Sequence, residues 1–218
     1  MARRSLAVGE SLSTLLNASD GSGNVTALFP SGNSLADQLK MVARMIKISR
    51  NSLGAQRQVY FVRMGGYDLH TGMFESGGAV ATTGHGALLT PFNQALGAFW
   101  TALGEISARS QVTTFTMSDF GRSLSGNGGG SDHAWGSHMF VAGGAVKGGK
   151  VCGTFPDLTV NGGIDCTGNR GRWIPSTAVD QKAALIGKWF GLTDAQVQQV
   201  FPNLTRFQPD LSTATLNA

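Results

Sequence analysis

The four histidines of this 218-residue chain all lie in one glycine-rich central stretch, at His70, His85, His133 and His138. Two of them have a carboxylate nearby in the sequence. Asp68 comes two residues before His70, and Asp132 comes directly before His133. A third carboxylate, Asp119, ends a run of β-branched and apolar residues. Carboxylate oxygens and imidazole nitrogens ligate divalent cations, above all where strand ends hold them still. The residue types and their grouping therefore predict a metal site.

Three predicted elements bring two of these carboxylates together. Gln58–Met64 is a near-continuous apolar and aromatic run, typical of a parallel strand covered on both faces. Apolar residues at helical spacing predict a helix from about Gly86 to Ala108, and the next strand is Gln111–Met117. Because such a crossover joins parallel strands, Asp68 and Asp119 should meet at one carboxyl-terminal sheet edge. The predicted fold class is α/β, with a mostly parallel sheet flanked by helices.

The rest of the chain predicts further helices and short strands around one core. Helices are expected from Ser34 to about Asn51, from Ser176 or Thr177 to Phe190, and from Thr193 or Asp194 to near Pro202, and short strands at Met139–Ala142 and Lys150–Thr154. Ser34 and Asp37 resemble a capping box. Residues 1–33 and 205–218 are expected to be irregular. A chain of this length buries a sizeable core, so we expect residues 1–218 to form a single domain.

Charge and hydropathy argue against two classes of partner. The formal net charge is +4, but the basic residues are scattered, whereas a nucleic-acid surface would show a basic stripe with aromatic platforms. No stretch approaches the roughly 20 apolar residues of a membrane span. Arg3-Arg4 is not followed by an apolar segment, so no export signal is expected in this chain. Cys152 and Cys166 either form a disulfide in an oxidising compartment or remain free thiols.

Three motifs, taken in chain order, resemble a known bacterial family. They are Gly65-Gly66-Tyr67-Asp68-Leu69-His70, Ser118-Asp119-Phe120-Gly121-Arg122, and Ser131-Asp132-His133-Ala134-Trp135-Gly136-Ser137-His138 followed by Gly143-Gly144-Ala145-Val146-Lys147-Gly148-Gly149. From Leu28 to Asn203 the chain resembles the domain-of-unknown-function 1501 family, a branch of the alkaline phosphatase/sulfatase-like superfamily. The resemblance implies a partial fold of that superfamily, equivalent to the C-terminal half. It also implies that the half bearing the nucleophile is absent and that the protein is periplasmic or secreted.

The same resemblance assigns metal-binding roles. Asp68 and His70 resemble the pair that holds one metal, and His133 resembles the late histidine that completes that site. Asp119 resembles the acid that reaches a second metal. The superfamily usually spaces the first pair as Asp-x-x-x-His, whereas the spacing here is Asp-x-His. His85 is therefore a rival ligand.

Neighbouring residues complete the predicted site. Phe120 follows Asp119 where the superfamily usually has histidine, which favours a single-metal centre. Asp132 either orients His133 through its ring N–H or binds the metal directly. Arg122 is placed to clamp a phosphate or sulfate oxygen, and the structural alternative is a pairing with a nearby carboxylate.

These roles lead to two hypotheses. The first is a metal-binding, hydrolase-like protein that acts on phosphate or sulfate esters with a divalent cation, zinc foremost and manganese, calcium or magnesium as alternatives. The nucleophile then lies outside this chain, so no catalytic residue is identified and the chain alone should be nearly inactive. The second is a non-catalytic homologue with a binding or structural role. A lone half-fold leaves a sheet edge exposed, which predicts a homo-oligomer or a partner chain that covers it.

Overall fold

The computed structural model describes residues 2–74 and 84–207, which divide into two compact units. Of these, residues 2–68 and 84–109 form the first unit, and residues 69–74 and 110–207 form the second. The helices are α1 (Ala2–Leu16), α2 (Ser34–Ile48), α3 (Gly84–Glu105), α4 (Val179–Phe190) and α5 (Asp194–Val200), and the strands are β1 (Thr113–Phe115), β2 (Gly121–Gly126), β3 (Ser131–Ala134), β4 (Val141–Gly143), β5 (Cys166–Thr167) and β6 (Arg172–Trp173). The fold is thus of the mixed α/β class. The prediction of a single domain stays a prediction.

The core of the first unit lies between α2 and α3. Apolar side chains recur on one side of α2 at helical spacing and pack against small and aromatic side chains of α3. The buried residues are Leu35, Ala36, Leu39, Ala43 and Ile46 of α2 and Ala95, Ala98, Phe99, Ala102 and Leu103 of α3. Both helices were expected from periodicity, and their existence is confirmed.

Asn33 links these two helices at one end. Its Oδ1 accepts a hydrogen bond from the Ala36 backbone N–H at 3.2 Å, and its Nδ2 donates to the Pro91 carbonyl at 2.8 Å. Asn33 is therefore the N-cap of α2, so the capping box predicted for Ser34 and Asp37 is one residue out of place.

Glu105, at the end of α3, holds the segment that precedes α2. The backbone N–H groups of Thr26 and Ala27 donate to its Oε2 at 2.8 and 2.9 Å. Burial raises the pKa of Glu105, but these hydrogen bonds and the charge of Lys47 outweigh that effect and bring the pKa below its ordinary value. The carboxylate is thus ionised at neutral pH, which is the form that accepts both bonds.

The N-terminal region differs from its prediction, because α1 occupies Ala2–Leu16, where irregular structure was expected. Arg44 of α2 donates to the carbonyls of Leu16 and Gly23. This guanidinium satisfies a carbonyl at the end of α1, a contact that the local sequence cannot reveal. At the other end of the chain, residues 202–206 form a short 3₁₀ helix, and residues 208–218 lie outside the described residues.

The predicted parallel strand at residues 58–64 is wrong for the described structure. This segment has no strand partner among the described residues, and Val59 and Phe61 are 79% and 89% exposed. The Gln38 side chain instead bonds both peptide groups of Arg63, at 2.9 Å to the N–H and 2.8 Å to the carbonyl. The apolar run indicated burial on two faces, but a sequence pattern does not show which element would supply the cover.

The second unit contains three antiparallel two-stranded ladders, β1 with β4, β2 with β3, and β5 with β6. β1 lies within the predicted strand Gln111–Met117, but its partner is β4 and not a parallel neighbour. Residues 150–154, predicted as a strand, form none. Helices α4 and α5 confirm the predictions for the C-terminal part, and the Thr193 hydroxyl caps α5 by accepting from the Gln196 N–H.

Close backbone approaches hold the ladders together in this unit. The N–H groups of Leu124 and Ser125 in β2 donate to the carbonyls of Gly171 and Arg170, each at 3.0 Å. A side chain at Gly121 would collide with the Gly136 carbonyl, so glycine is required there. These contacts bring the β5–β6 turn against β2, and they position the Arg170 side chain. None of the helices within residues 2–74 and 84–207 is long and apolar enough to cross a membrane.

Candidate metal centre

Three potential metal ligands come together within the described residues. Asp68, His70 and His133 each offer one ligand atom, and these atoms lie within 4.8 Å of one another. Both histidines belong to the second unit, and Asp68 is joined to its segment 69–74 by a single peptide bond. A tetrahedral zinc ion places its ligand atoms roughly 3.3 Å apart, at bond lengths of about 2.0–2.2 Å. All three residues are exposed, and their ligand atoms would have to come closer together to reach that geometry.

Backbone contacts place His70 beside His133, although the two are far apart in the sequence. The Ser131 N–H donates to the Leu69 carbonyl at 3.4 Å, and the Met73 N–H donates to the Gly129 carbonyl at 3.0 Å. The two imidazole centroids are 4.9 Å apart, at an interplanar angle of 37°. The segment that carries His70 is thus docked against the turn that leads into β3.

Gly130 makes this docking possible. A Cβ atom built there would lie 2.6 Å from both the carbonyl carbon and the carbonyl oxygen of His70, and it would also collide with the Leu69 carbonyl. Real Cβ contacts to backbone atoms are not this short. Only glycine allows the two backbones to approach so closely.

His133 is held from one side by an aromatic ring. Phe120 stacks on it with a centroid distance of 4.1 Å and an angle of 14°. Arg122 is directly opposite His133 in the β2–β3 ladder, and its guanidinium carbon lies 4.9 Å from the Phe120 centroid. Arg122 Nη1 also donates to the Ser131 carbonyl. Phe120, which the sequence suggested only as a missing ligand, therefore packs against both a candidate ligand, His133, and Arg122.

Asp132 faces His70 and is held by two further side chains. Its Oδ1 accepts from Asn127 Nδ2 at 3.1 Å and lies 3.7 Å from His70 Nδ1, and its Oδ2 accepts from Arg170 Nη1 at 2.9 Å. The hydrogen bond from Asn127 and the positive charge of Arg170 bring the pKa of Asp132 below its ordinary value. Asp132 is not a member of the three-ligand group.

Two predicted ligands are not part of the group. Asp119 is exposed in the segment between β1 and β2, and its role toward a second metal stays a prediction. His85 belongs to the first unit, where its ring meets Tyr67 edge-on at 5.8 Å. Its Nδ1 is buried and makes no hydrogen bond within the described part of the chain. The group that does form uses His70 and the Asp-x-His spacing.

Three residues of the site had no predicted ligand-supporting role. The sequence assigned no role to Asn127 or Arg170, and it marked Phe120 only as an exception to the family pattern. Arg170 is 38 positions from Asp132 in the chain, so no local spacing could have linked them. Their contacts arise from the docking of the β5–β6 turn onto β2.

The two cysteines do not pair in this structure. Cys152 and Cys166 are both free thiols, and Cys166 Sγ donates to the carbonyls of Thr159 and Val160 at 3.0 and 3.3 Å. Of the two alternatives that the sequence left open, the structure has the free thiols.

A comparison with family models decides the relationship of the chain. The model described as "Protein of unknown function (DUF1501)" matches residues 10–200. The chain belongs to the DUF1501 family. No curated protein and no solved structure matches the chain. Because the family description assigns no activity, the function of this DUF1501 protein has to be argued from its site.

Proposed function

We propose that this DUF1501 protein is a metal-binding, hydrolase-like protein whose Asp68–His70–His133 group holds one divalent cation. The observation that carries the proposal is the convergence of one carboxylate and two imidazoles within 4.8 Å. Two nitrogen donors and one oxygen donor are a set that suits zinc, with manganese as an alternative and the harder cations calcium and magnesium less favoured. Three protein ligands in an exposed setting leave coordination positions open to a substrate.

Phosphate or sulfate esters are the substrate class that the surroundings favour. When bound, a divalent ion supplies Lewis acidity to an ester oxygen and lowers the pKa of water. Arg122 lies opposite His133 and carries a fixed positive charge beside the group. Its contacts with Ser131 and Phe120 fix its direction, and a guanidinium binds tetrahedral oxyanions bidentately. Arg122 thus orients the anionic group, and Phe120 holds the His133 ring in place.

We also propose that a polypeptide segment outside this sequence completes the site. We place the chain in the alkaline phosphatase/sulfatase-like superfamily, with a nucleophile and a parallel sheet contributed by a segment outside this sequence. The exposed apolar run at residues 58–64 supports a second copy or a partner chain as its cover. A periplasmic or secreted location follows from the same assignment. The ligand for the site is a small anionic ester, and neither nucleic acid nor a membrane span enters the proposal.

Metal analysis tests the first part of this proposal. Protein purified without chelator should contain about one equivalent of zinc or manganese, or take up one equivalent on titration. The His133→Ala variant should lose that metal. His138→Ala is the matched control, because His138 packs against Phe155 and is not in the group. A folded wild-type protein that binds no divalent ion contradicts the proposal.

Anion binding tests the second part. Inorganic phosphate and sulfate should bind to the zinc-loaded protein, and Arg122→Gln should weaken that binding about 10- to 100-fold through the loss of charged hydrogen bonds. Binding that is the same with and without zinc would reject the ester-binding site. Turnover of p-nitrophenyl phosphate or sulfate by this chain alone should be close to background.

A further inference from the structure

We propose that Asp132 is a positioning residue that sets the imidazole of His70 for metal binding, and that Arg170 and Asn127 hold Asp132 in place. The inference rests on the proposed metal site, because His70 is one of its ligands. It assigns a role to each ring nitrogen: Nδ1 faces the Asp132 carboxylate, and Nε2 is the atom assigned to the cation. A carboxylate behind a histidine ligand fixes both the ring orientation and the position of its proton.

The carboxylate is shared between three side chains. Asn127 Nδ2 donates to Oδ1 at 3.1 Å, and Arg170 Nη1 donates to Oδ2 at 2.9 Å. His70 Nδ1 lies 3.7 Å from Oδ1. The separation of 3.7 Å is longer than a hydrogen bond. A movement of about 0.8 Å brings it to the ordinary N–H···O length. Half of the His70 side chain is exposed.

The turn before β3 aligns Asp132 with the backbone of His70. Asn127 Oδ1 accepts from the N–H groups of Gly129 and Gly130 at 3.2 and 2.8 Å, while its Nδ2 donates to Asp132. Gly130 in turn packs directly on the His70 carbonyl. One side chain, Asn127, thus closes the turn that fixes the His70 backbone and also holds the carboxylate that faces the His70 ring.

Arg170 and Asn127 hold the carboxylate from its two oxygens. Arg170 occupies Oδ2 from the β5–β6 turn, and Asn127 occupies Oδ1. An acid whose two oxygens are both engaged in this way is suited to orienting a neighbour. The sequence offered His133 as the residue that Asp132 would orient, because the two are adjacent in the chain. In the structure the carboxylate faces His70.

A purely structural role for the Asp132–Arg170 pair makes a different prediction. In that case the pair would tie β3 to the β5–β6 turn, and its loss would lower stability without altering the proton on His70. The tautomer of His70 separates the two roles, because it responds to the partner of Nδ1 and is measured without any metal. The neutral imidazole of histidine in water favours the Nε2–H form, so a dominant Nδ1–H form requires an acceptor at Nδ1.

The experiment is long-range ¹H–¹⁵N correlation NMR of the imidazoles in the metal-free protein, at a pH of about 8.5, which is well above the ordinary pKa of an imidazole in water. The wild type should show His70 mainly as the Nδ1–H tautomer. Asp132→Ala should return it to the Nε2–H form, and Arg170→Gln should shift it in the same direction. Asp194→Ala is the control, since Asp194 is also ion-paired in this unit, to Lys188 at 2.7 Å.

Zinc titration of the same variants provides the second readout. Asp132→Ala should weaken zinc binding about 10- to 100-fold, and Asp194→Ala should leave it unchanged. If Asp132→Ala does not fold, Arg170→Gln carries both measurements. A wild-type His70 in the Nε2–H form, or equal zinc affinity in wild type and Asp132→Ala, overturns the inference. If the wild type itself binds no zinc but the tautomer behaves as stated, the proposed function fails, while the orientation of the His70 ring by Asp132 stands.

Discussion

Replacing Gly130 with alanine perturbs the closest backbone contact in the site. The added Cβ would lie 2.6 Å from the carbonyl carbon and oxygen of His70, about 0.8 Å short of an ordinary contact. The colliding atoms are backbone, so either the turn before β3 or the His70 segment has to move. Overpacking of this kind costs about 1–3 kcal/mol. For a chain of this size, that lowers the melting temperature by roughly 2–12 °C.

The same displacement acts on metal binding. Since His70 would shift relative to His133, we expect the zinc affinity of Gly130→Ala to fall about tenfold or more. Gly129→Ala is the matched control, because its Cβ would meet Thr71 Cα at an ordinary 3.6 Å. Thermal unfolding followed by circular dichroism and zinc titration by calorimetry measure both effects. If Gly130→Ala and Gly129→Ala have the same melting temperature and the same zinc affinity, the close approach of the two segments does not position His70.

Two further predictions concern the first unit. Leu103 is 2% exposed, so Leu103→Ala should lower the free energy of unfolding by about 2–5 kcal/mol in urea titrations, whereas Leu89→Ala at a 42% exposed position should cost under about 1 kcal/mol. Equal costs would contradict the assigned core. Glu105→Gln should cost about 1 kcal/mol at pH 7, because an exposed carboxylate accepts from Thr26 and Ala27. The folded-state pKa of Glu105 is lowered, so its contribution is present above the unfolded pKa and is lost as pH falls through the folded pKa. In urea titrations across pH 3–7, the difference in the free energy of unfolding between wild type and Glu105→Gln should become smaller as the pH falls. A difference that does not change with pH would contradict this.

The helices were predictable because their signals are local. Apolar residues recur at helical spacing in α2 to α5, and a single side chain such as Thr193 marks a helix start. The end of α1 depends on Arg44, which is distant in sequence, and α1 was not predicted. The strand predicted at residues 58–64 failed for a related reason. Its apolar residues predict burial against another structural element, and no local sequence pattern identifies that element.

The site was predictable in its ligands but not in their support. Asp68, His70 and His133 were singled out from residue type, motif order and family resemblance, and the structure brings them together. Asp119 depended on a parallel crossover, and the strand before it pairs in the antiparallel direction with β4. The contacts of Phe120 and of Arg170 connect segments that only the tertiary fold brings close.

Anomalous diffraction at the zinc absorption edge, from crystals grown with zinc, locates any bound cation and tests whether Asp68, His70 and His133 hold it. We expect a single anomalous peak bonded to a carboxylate oxygen of Asp68 and to one nitrogen each of His70 and His133, at about 2.0–2.2 Å. A peak bound elsewhere in the molecule, with these three side chains left without a metal at saturating zinc, would contradict this expectation.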